Sequence, residues 1–259
     1  MDNHAAISQP CVLLISEQHD QRSIHAFAAL LHKCSIQFQI ILNGAPDTHL
    51  ASFAEKIVAN TSELSFRPDI IVDFSLYPDQ VHHAILTFLC NQNPTALFVF
   101  STPTLTAAYL AKVINAPNTI RANLLAGFFP EMTVIELAYS RTLSAEALLL
   151  AETLFRSVGL RTETIDDIVG FVVPRIVAML VNEAAFAVLE NISTPSEIDT
   201  AMKLGTNYPY GPLEWAENIG FDVIFAILEA LYAEYNSNRY SPCRLLHHYA
   251  VERLMNKHA

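Results

Sequence analysis

Short apolar runs alternate with amphipathic helical patterns from residue 11 to about residue 165. The helical patterns DQRSIHAFAALLHKCS and YPDQVHHAILTFLCNQ each stand between two such runs. Apolar runs of this length are typical of buried parallel strands, and strand–helix–strand repetition joins such strands through right-handed crossovers. The first part of the chain is therefore predicted to form a doubly wound, largely parallel sheet. The predicted strands are CVLLIS, QFQIIL, DIIVDF, TALFVFS and MTVIELA, with two further strands in APNTIRANLL and RTETI.

The strand patterns stop near residue 166, and only helical patterns follow. In one of these helices Thr194 and Pro195 predict the N-cap and the first turn, and Gly205 predicts the C-terminal end. A chain of 259 residues that is 52% hydrophobic can bury a core in each of two domains. We therefore predict an α/β, Rossmann-like doubly wound sheet over residues 1–166, followed by an all-α C-terminal domain over residues 167–259.

The chain carries a formal net charge of −11. Nucleic acids and anionic membranes select surfaces rich in lysine and arginine, so neither is expected as a partner. The N-terminal segment has no basic region before an apolar run, and no signal peptide or membrane span is predicted. The four cysteines show neither the spacing of a zinc or redox site nor a disulfide framework, which favours a cytoplasmic protein.

The turn after the first predicted strand, ISEQHDQRS, contains no glycine. In a doubly wound sheet that binds a dinucleotide, glycines at this turn let backbone N–H groups approach the pyrophosphate. Here Glu17 and Asp20 bring the wrong charge, and the second strand ends at Asn43 instead of at an acid that would bind a ribose. We therefore expect a sheet kept as a scaffold, with no cofactor-binding residues.

The helical part carries two long motifs, GFVVPRIVAMLVNEA and IDTAMKLGTNYPYGPLEWAENIGFD. They resemble the C-terminal domain of the NAD-dependent 3-hydroxyacyl-CoA dehydrogenases, with the pattern GF-x-x-N-R, N-E-A, I-D-x-A-M-x-x-G-x-x-x-P-x-G-P and G-x-D. The resemblance covers nearly the whole chain and is strong only after residue 125. The matching residues are Gly170, Phe171, Arg175, Asn182, Glu183, Ala184, Ile198, Asp199, Ala201, Met202, Gly205, Pro209, Gly211, Pro212, Gly220 and Asp222.

The resemblance also implies a catalytic set that this chain lacks. A histidine of the family takes the proton of the substrate hydroxyl, and counting back from Glu136 places Leu124 at its position. The family's active-site asparagine falls at Pro174, and its serine falls at Pro103. Glu136, which in the family orients the histidine, is the catalytic residue that remains, and without an imidazole it is expected to be a vestige.

Hydroxyl groups near the missing serine leave two interpretations open. Ser101, Thr102 or Thr104 would supply the lost hydroxyl, and Thr104 is the candidate catalytic residue among them. Alternatively, these side chains bond to the backbone at a strand end, as serines and threonines commonly do.

Histidines suggest no metal site. The pairs His82–His83 and His247–His248, and His248 with Glu252 at helical spacing, are interpreted as solvated helix faces, because a metal site needs three or four converging ligands.

Three functions remain open. The first is a pseudoenzyme of the family, in fatty acid metabolism, that acts as a scaffold or partner subunit. It would form a homodimer through the helical domain, with an active paralogue as a further candidate partner. The second is an active dehydrogenase that uses NAD and takes its base from His19 or His25. The third is a binding protein for an acyl-CoA ligand.

Overall fold

The computed structural model describes residues 9–17, 21–76, 80–125, 127 and 132–256. Over these residues the strands are β1 (Val12–Glu17), β2 (Phe38–Asn43), β3 (Ile57–Val58), β4 (Ile70–Asp73), β5 (Leu97–Phe100), β6 (Thr119–Ala122), β7 (Val134–Tyr139) and β8 (Arg161–Thr164). The helices are α1 (Gln21–Lys33), α2 (Gln80–Gln92), α3 (Ala107–Val113), α4 (Ala145–Ser157), α5 (Val173–Leu189), α6 (Pro195–Thr206), α7 (Pro212–Ile219), α8 (Phe221–Tyr235) and α9 (Arg244–Asn256).

The strands of the described chain form one sheet in the order β3-β2-β1-β4-β5-β6-β7-β8. Every pair of neighbours is parallel except β6 and β7, which are antiparallel. β4 and β5 are buried along their whole length, which explains why their sequences are apolar apart from Asp73 at the end of β4. The order reverses between β1 and β4, so the sheet is doubly wound and the predicted fold class is confirmed.

The chain forms two compact units. The first contains the sheet with α1 to α4 and extends to Asp167, and the second contains α5 to α9. Two segments of the first half also belong to the second unit: Pro103–Leu105, and a segment whose described residues are Leu125 and Gly127. The sequence analysis predicted a single boundary after residue 166 and did not assign these residues to the helical domain.

The start of the helical unit is a sharp turn. Gly170 has φ +92° and Phe171 has φ +52°, so two successive residues lie in the left-handed region that favours glycine. The Gly170 N–H donates to the carbonyl of Pro103 at 2.7 Å, within the second unit. Pro174 lies buried in the first turn of α5, where its missing N–H costs no hydrogen bond.

The ends of α6 confirm one prediction and correct another. Thr194 caps the helix and forms a reciprocal capping box with Glu197. Gly205 does not end the helix: α6 continues through Thr206, and Asn207 adopts the left-handed conformation of the C-cap at φ +57°. Asparagine tolerates this conformation because its short polar side chain can bond locally, so the stop lies two residues later than expected.

Among the described residues, no helix combines the length and the apolar content required to cross a bilayer.

Candidate functional site

Glu136 lies on β7, opposite the end of β6. The Asn123 N–H donates to the Glu136 carbonyl, and Asn123 Nδ2 donates to Glu136 Oε2, both at 3.1 Å. Leu124, at the position counted for the histidine, is 0% exposed. The side chain that bonds to Glu136 is therefore the amide of Asn123. Counting along the sequence did not identify Asn123, because the register between β6 and β7 decides which residue lies opposite Glu136.

A buried arginine on β6 adds a positive charge close to Glu136. Arg121 is 0% exposed, and its Nε lies 3.3 Å from Asp167 Oδ1. Burial lowers the pKa of Arg121 to about 10, while Asp167 and Glu136 act in the opposite direction by favouring its charged form. The Asp167 carboxylate also accepts hydrogen bonds from the N–H groups of Ala107 and Ala108 at the start of α3, at 2.8 and 2.9 Å. The Asp167 carboxylate thus contacts both the guanidinium and two backbone N–H groups within the first unit.

The other positions of the family's catalytic set lie in the second unit. Pro174 offers no polar side chain, and the Pro103 carbonyl accepts a hydrogen bond from Gly170. Thr104, the candidate hydroxyl, is buried in the second unit, whereas Glu136 belongs to the first. Thr102 Oγ1 donates to the Leu76 carbonyl at 3.1 Å, so this one hydroxyl bonds to the backbone, as the alternative interpretation predicted.

The described residues at the expected dinucleotide site differ from those of a dinucleotide-binding sheet. Residues 18–20 and the side chain of Glu17 lie outside the described part, so the expected repulsion by Glu17 and Asp20 stays a prediction. With α1 beginning at Gln21, the third glycine of G-x-G-x-x-G falls on Gln21, and a buried glutamine side chain stands there. Asn43, at the end of β2, is exposed and carries no charge.

One histidine prediction was wrong. His82 is 1% exposed, and its Nε2 lies 3.0 Å from both Asp73 Oδ1 and Ser75 Oγ. A Ser–His–Asp relay needs the serine and the carboxylate on different ring nitrogens, so this cluster does not activate a nucleophile.

His83 is only partly exposed, with a buried Nε2, whereas the pair on α9 agrees with the predicted solvated face. His247 and His248 are exposed on α9, and the side chain of Glu252 lies outside the described part. Within the described ranges, no group of three or more histidine, cysteine or carboxylate side chains converges on a metal site. Of the two alternative bases, His19 is not among the described residues, and the His25 ring packs 5.7 Å from that of Phe53.

Residues that match the family motifs hold the helical unit together. Arg175 Nη2 donates to the Val169 carbonyl at 2.6 Å and to Tyr235 Oη at 3.1 Å, and the guanidinium lies over the rings of Tyr235 and Tyr240. The first of these bonds fixes the chain just before the Gly170 turn.

Asn182 and Asp199 have similar roles. Asn182 accepts a hydrogen bond from the Cys243 N–H at 2.7 Å and donates to the Ser241 carbonyl at 3.0 Å, which ties the start of α9 to α5. Asp199 accepts from the N–H groups of Leu213 and Glu214 at 2.8 and 3.1 Å and so caps α7 from outside the helix.

Comparisons with known proteins agree with this architecture. Residues 170–259 match the family of 3-hydroxyacyl-CoA dehydrogenase C-terminal domains. A probable 3-hydroxybutyryl-CoA dehydrogenase of Bacillus subtilis is 32% identical over 156 residues, which is 60% of this chain and 54% of that protein. The 3-hydroxyadipyl-CoA dehydrogenase of Escherichia coli is 45% identical over 87 residues, which is 34% of this chain and 18% of that protein.

The fold is shared with solved structures. The (S)-3-hydroxybutyryl-CoA dehydrogenase of Ralstonia eutropha superimposes with a TM-score of 0.72 at 23% identity, over 93% of each chain. In the two sequence matches above, the aligned part spans little more than half of one relative and less than a fifth of the other. The sequence motifs, the doubly wound sheet and the helical unit lead to one conclusion: residues 170–259 form a 3-hydroxyacyl-CoA dehydrogenase C-terminal domain, and the chain shares the fold of a solved dehydrogenase of that kind.

Proposed function

We propose that this chain is a catalytically degenerate member of its family that acts as a scaffold or partner subunit. The observation that carries the proposal is the pairing of Glu136 with Asn123, next to a buried Leu124. Family chemistry removes a proton from an alcohol while hydride leaves for a nicotinamide. That step needs a group that accepts the proton near neutral pH, and a carboxamide does not do so.

The hydrogen bonds of the helical unit support the same proposal. Arg175, Asn182 and Asp199 match the family motifs, and each is engaged in contacts that hold backbone segments in place. Pro174 stands where the family motif has its active-site amide. These three matching residues are thus explained by folding, and no transformation of a substrate is needed to account for them.

An apolar surface on α5 supports assembly. Ile176 is 54% exposed, and Val172 and Val173 beside it are also exposed. Contiguous exposed apolar side chains are a common mark of a protein interface. We propose that this surface forms a homodimer through the helical unit, and an active paralogue is a second possible partner in fatty acid metabolism. The four cysteines are free, which suits a reducing cytoplasm.

The test is NADH oxidation with acetoacetyl-CoA, run on the wild type and on Glu136→Gln side by side. We expect no turnover above the buffer rate in either protein. Turnover in the wild type that Glu136→Gln abolishes would overturn the proposal in favour of an active dehydrogenase that uses NAD.

Titration of the wild type with each ligand separates the remaining alternative. Binding of acetoacetyl-CoA without NADH would favour an acyl-CoA binding protein, whereas binding of neither ligand is the result expected for a scaffold.

A further inference from the structure

The first residue of α1 reaches across to the loop that follows β2. Gln21 is 5% exposed, its Nε2 donates to the Ala45 carbonyl at 2.9 Å, and its Oε1 accepts from the Asp47 N–H at 2.6 Å. Both bonds lie inside the first unit. A single side chain therefore links the N-terminus of the first helix to the end of the second strand.

Those two places are the ones that hold the adenosine half of a dinucleotide in a doubly wound sheet. The pyrophosphate lies against the N-terminus of the first helix, and the ribose hydroxyls lie at the end of the second strand. A glycine at position 21 would leave the space between them open. The Gln21 side chain runs from the start of α1 to the loop that follows β2, where it bonds to the backbone of Ala45 and Asp47.

The loop beyond Gln21 is ordered by the same contact. Asp47 Oδ1 accepts from the His49 N–H at 2.8 Å and from the Leu50 N–H at 3.3 Å, and Leu50 is fully buried. The chain of contacts from Gln21 through Asp47 thus ends in the core. Displacing the Gln21 side chain would loosen the loop that carries Asp47 and the buried Leu50. Breaking the two hydrogen bonds of Gln21 therefore costs more free energy than the bonds alone.

We propose that Gln21 is an intramolecular occupant of the adenosine half of the dinucleotide site and keeps that half closed. The inference rests on the proposed function in that both expect no bound NAD. It adds a cause in the folded chain itself, which is separate from the loss of catalytic residues.

The experiment measures hydrogen exchange of backbone amides by NMR on the full chain. The variants are Gln21→Ala, Gln21→Met, which keeps the side-chain volume, and Gln92→Ala, a control at an exposed glutamine at the end of α2. We expect the Asp47 amide to exchange about tenfold faster in both Gln21 variants, as the loss of one net hydrogen bond implies. The control should match the wild type.

The second arm adds millimolar ADP as the probe for the adenosine half. In the wild type we expect no change in the amide signals of residues 45–50. Equal Asp47 exchange in the wild type and in both Gln21 variants would overturn the proposal. So would ADP-induced shifts at residues 45–50 of the wild type.

Failure of the proposed function would look different. Binding of acetoacetyl-CoA without NADH, with Asp47 still protected and no response to ADP, would remove the scaffold function and leave the assignment of Gln21 intact. No turnover, combined with an ADP response in the wild type, would do the reverse.

Discussion

Replacing Leu124 by histidine should destabilise the protein and create no dehydrogenase activity. Leu124 occupies the position that counting assigns to the family histidine, yet Asn123 is the residue that contacts Glu136. The new imidazole would therefore enter an apolar environment instead of meeting the carboxylate. Asn123→His is the matched comparison, because its Nδ1–H would replace the amide as the donor to Glu136.

The size of the effect follows from burial. Leu124 is 0% exposed, and full burial of a leucine stabilises a fold by about 1.5–3 kcal/mol. A ring nitrogen left without a partner costs about 1–3 kcal/mol more. The total is roughly 2.5–6 kcal/mol, which lowers the Tm of a chain of this size by about 5–24 °C. Asn123→His keeps its polar partner and should lower the Tm less.

The assay combines thermal unfolding, followed by circular dichroism, with NADH oxidation in the presence of acetoacetyl-CoA. A base and its orienting carboxylate are worth about 10²–10⁴ in rate. Positioning of a bound cofactor contributes roughly 7–11 kcal/mol, which we expect this site not to supply. A Tm for Leu124→His within about 2 °C of the wild type would refute the burial reasoning. NADH oxidation by this variant alone would show that position 124 faces a working site.

Three further predictions concern the helical unit. Asp199→Ala should lower the free energy of unfolding by roughly 2–4 kcal/mol, because two N–H groups of α7 lose their acceptor; an unchanged urea midpoint at pH 7 would contradict this. Hydrogen bonds from Lys203 and then from the Gly211 N–H hold the pKa of Glu214 below its ordinary value of 4.5. The stability that Glu214 adds is thus present above that value and is lost as the pH falls further. The Tm difference between the wild type and Glu214→Gln should shrink below about pH 4.5, and a constant difference from pH 7 to pH 3 would be the opposite result. Ile176→Asp should convert a dimer into a monomer in sedimentation at micromolar concentration, and a monomeric wild type would remove the basis of the interface.

The fold could be predicted from sequence because its signals are local. Continuous apolar runs identified β4 and β5, and helical periodicity identified α5. The short β3 has only two half-buried residues and leaves no pattern in the sequence. The end of α6 was misplaced because the conformation of Asn207, and not the presence of Gly205, decides where the helix stops.

The site was less predictable because its contacts are tertiary. The histidine pair on α2 looks solvated from its neighbours in sequence, yet His82 meets Asp73 at the end of a strand. Asn123 faces Glu136 through strand pairing that residue counting does not describe. Glu136 itself was found through the family motif, since a single carboxylate in an apolar strand has no distinctive spacing.

The pieces of the first half that belong to the helical unit limit how this protein can be cut or recombined. A gene fragment for residues 168–259 would omit Pro103, whose carbonyl binds the Gly170 N–H, and Gly127, which packs so closely on Ile219 that a Cβ would not fit. Such a fragment would lack the hydrogen-bond acceptor of its first turn and the packing partner of Ile219 at the end of α7. If the helical unit were exchanged between relatives by a single crossover near residue 168, the residues around Pro103 and Gly127 would still come from the other protein. They would then pack against a helical unit with which they do not match.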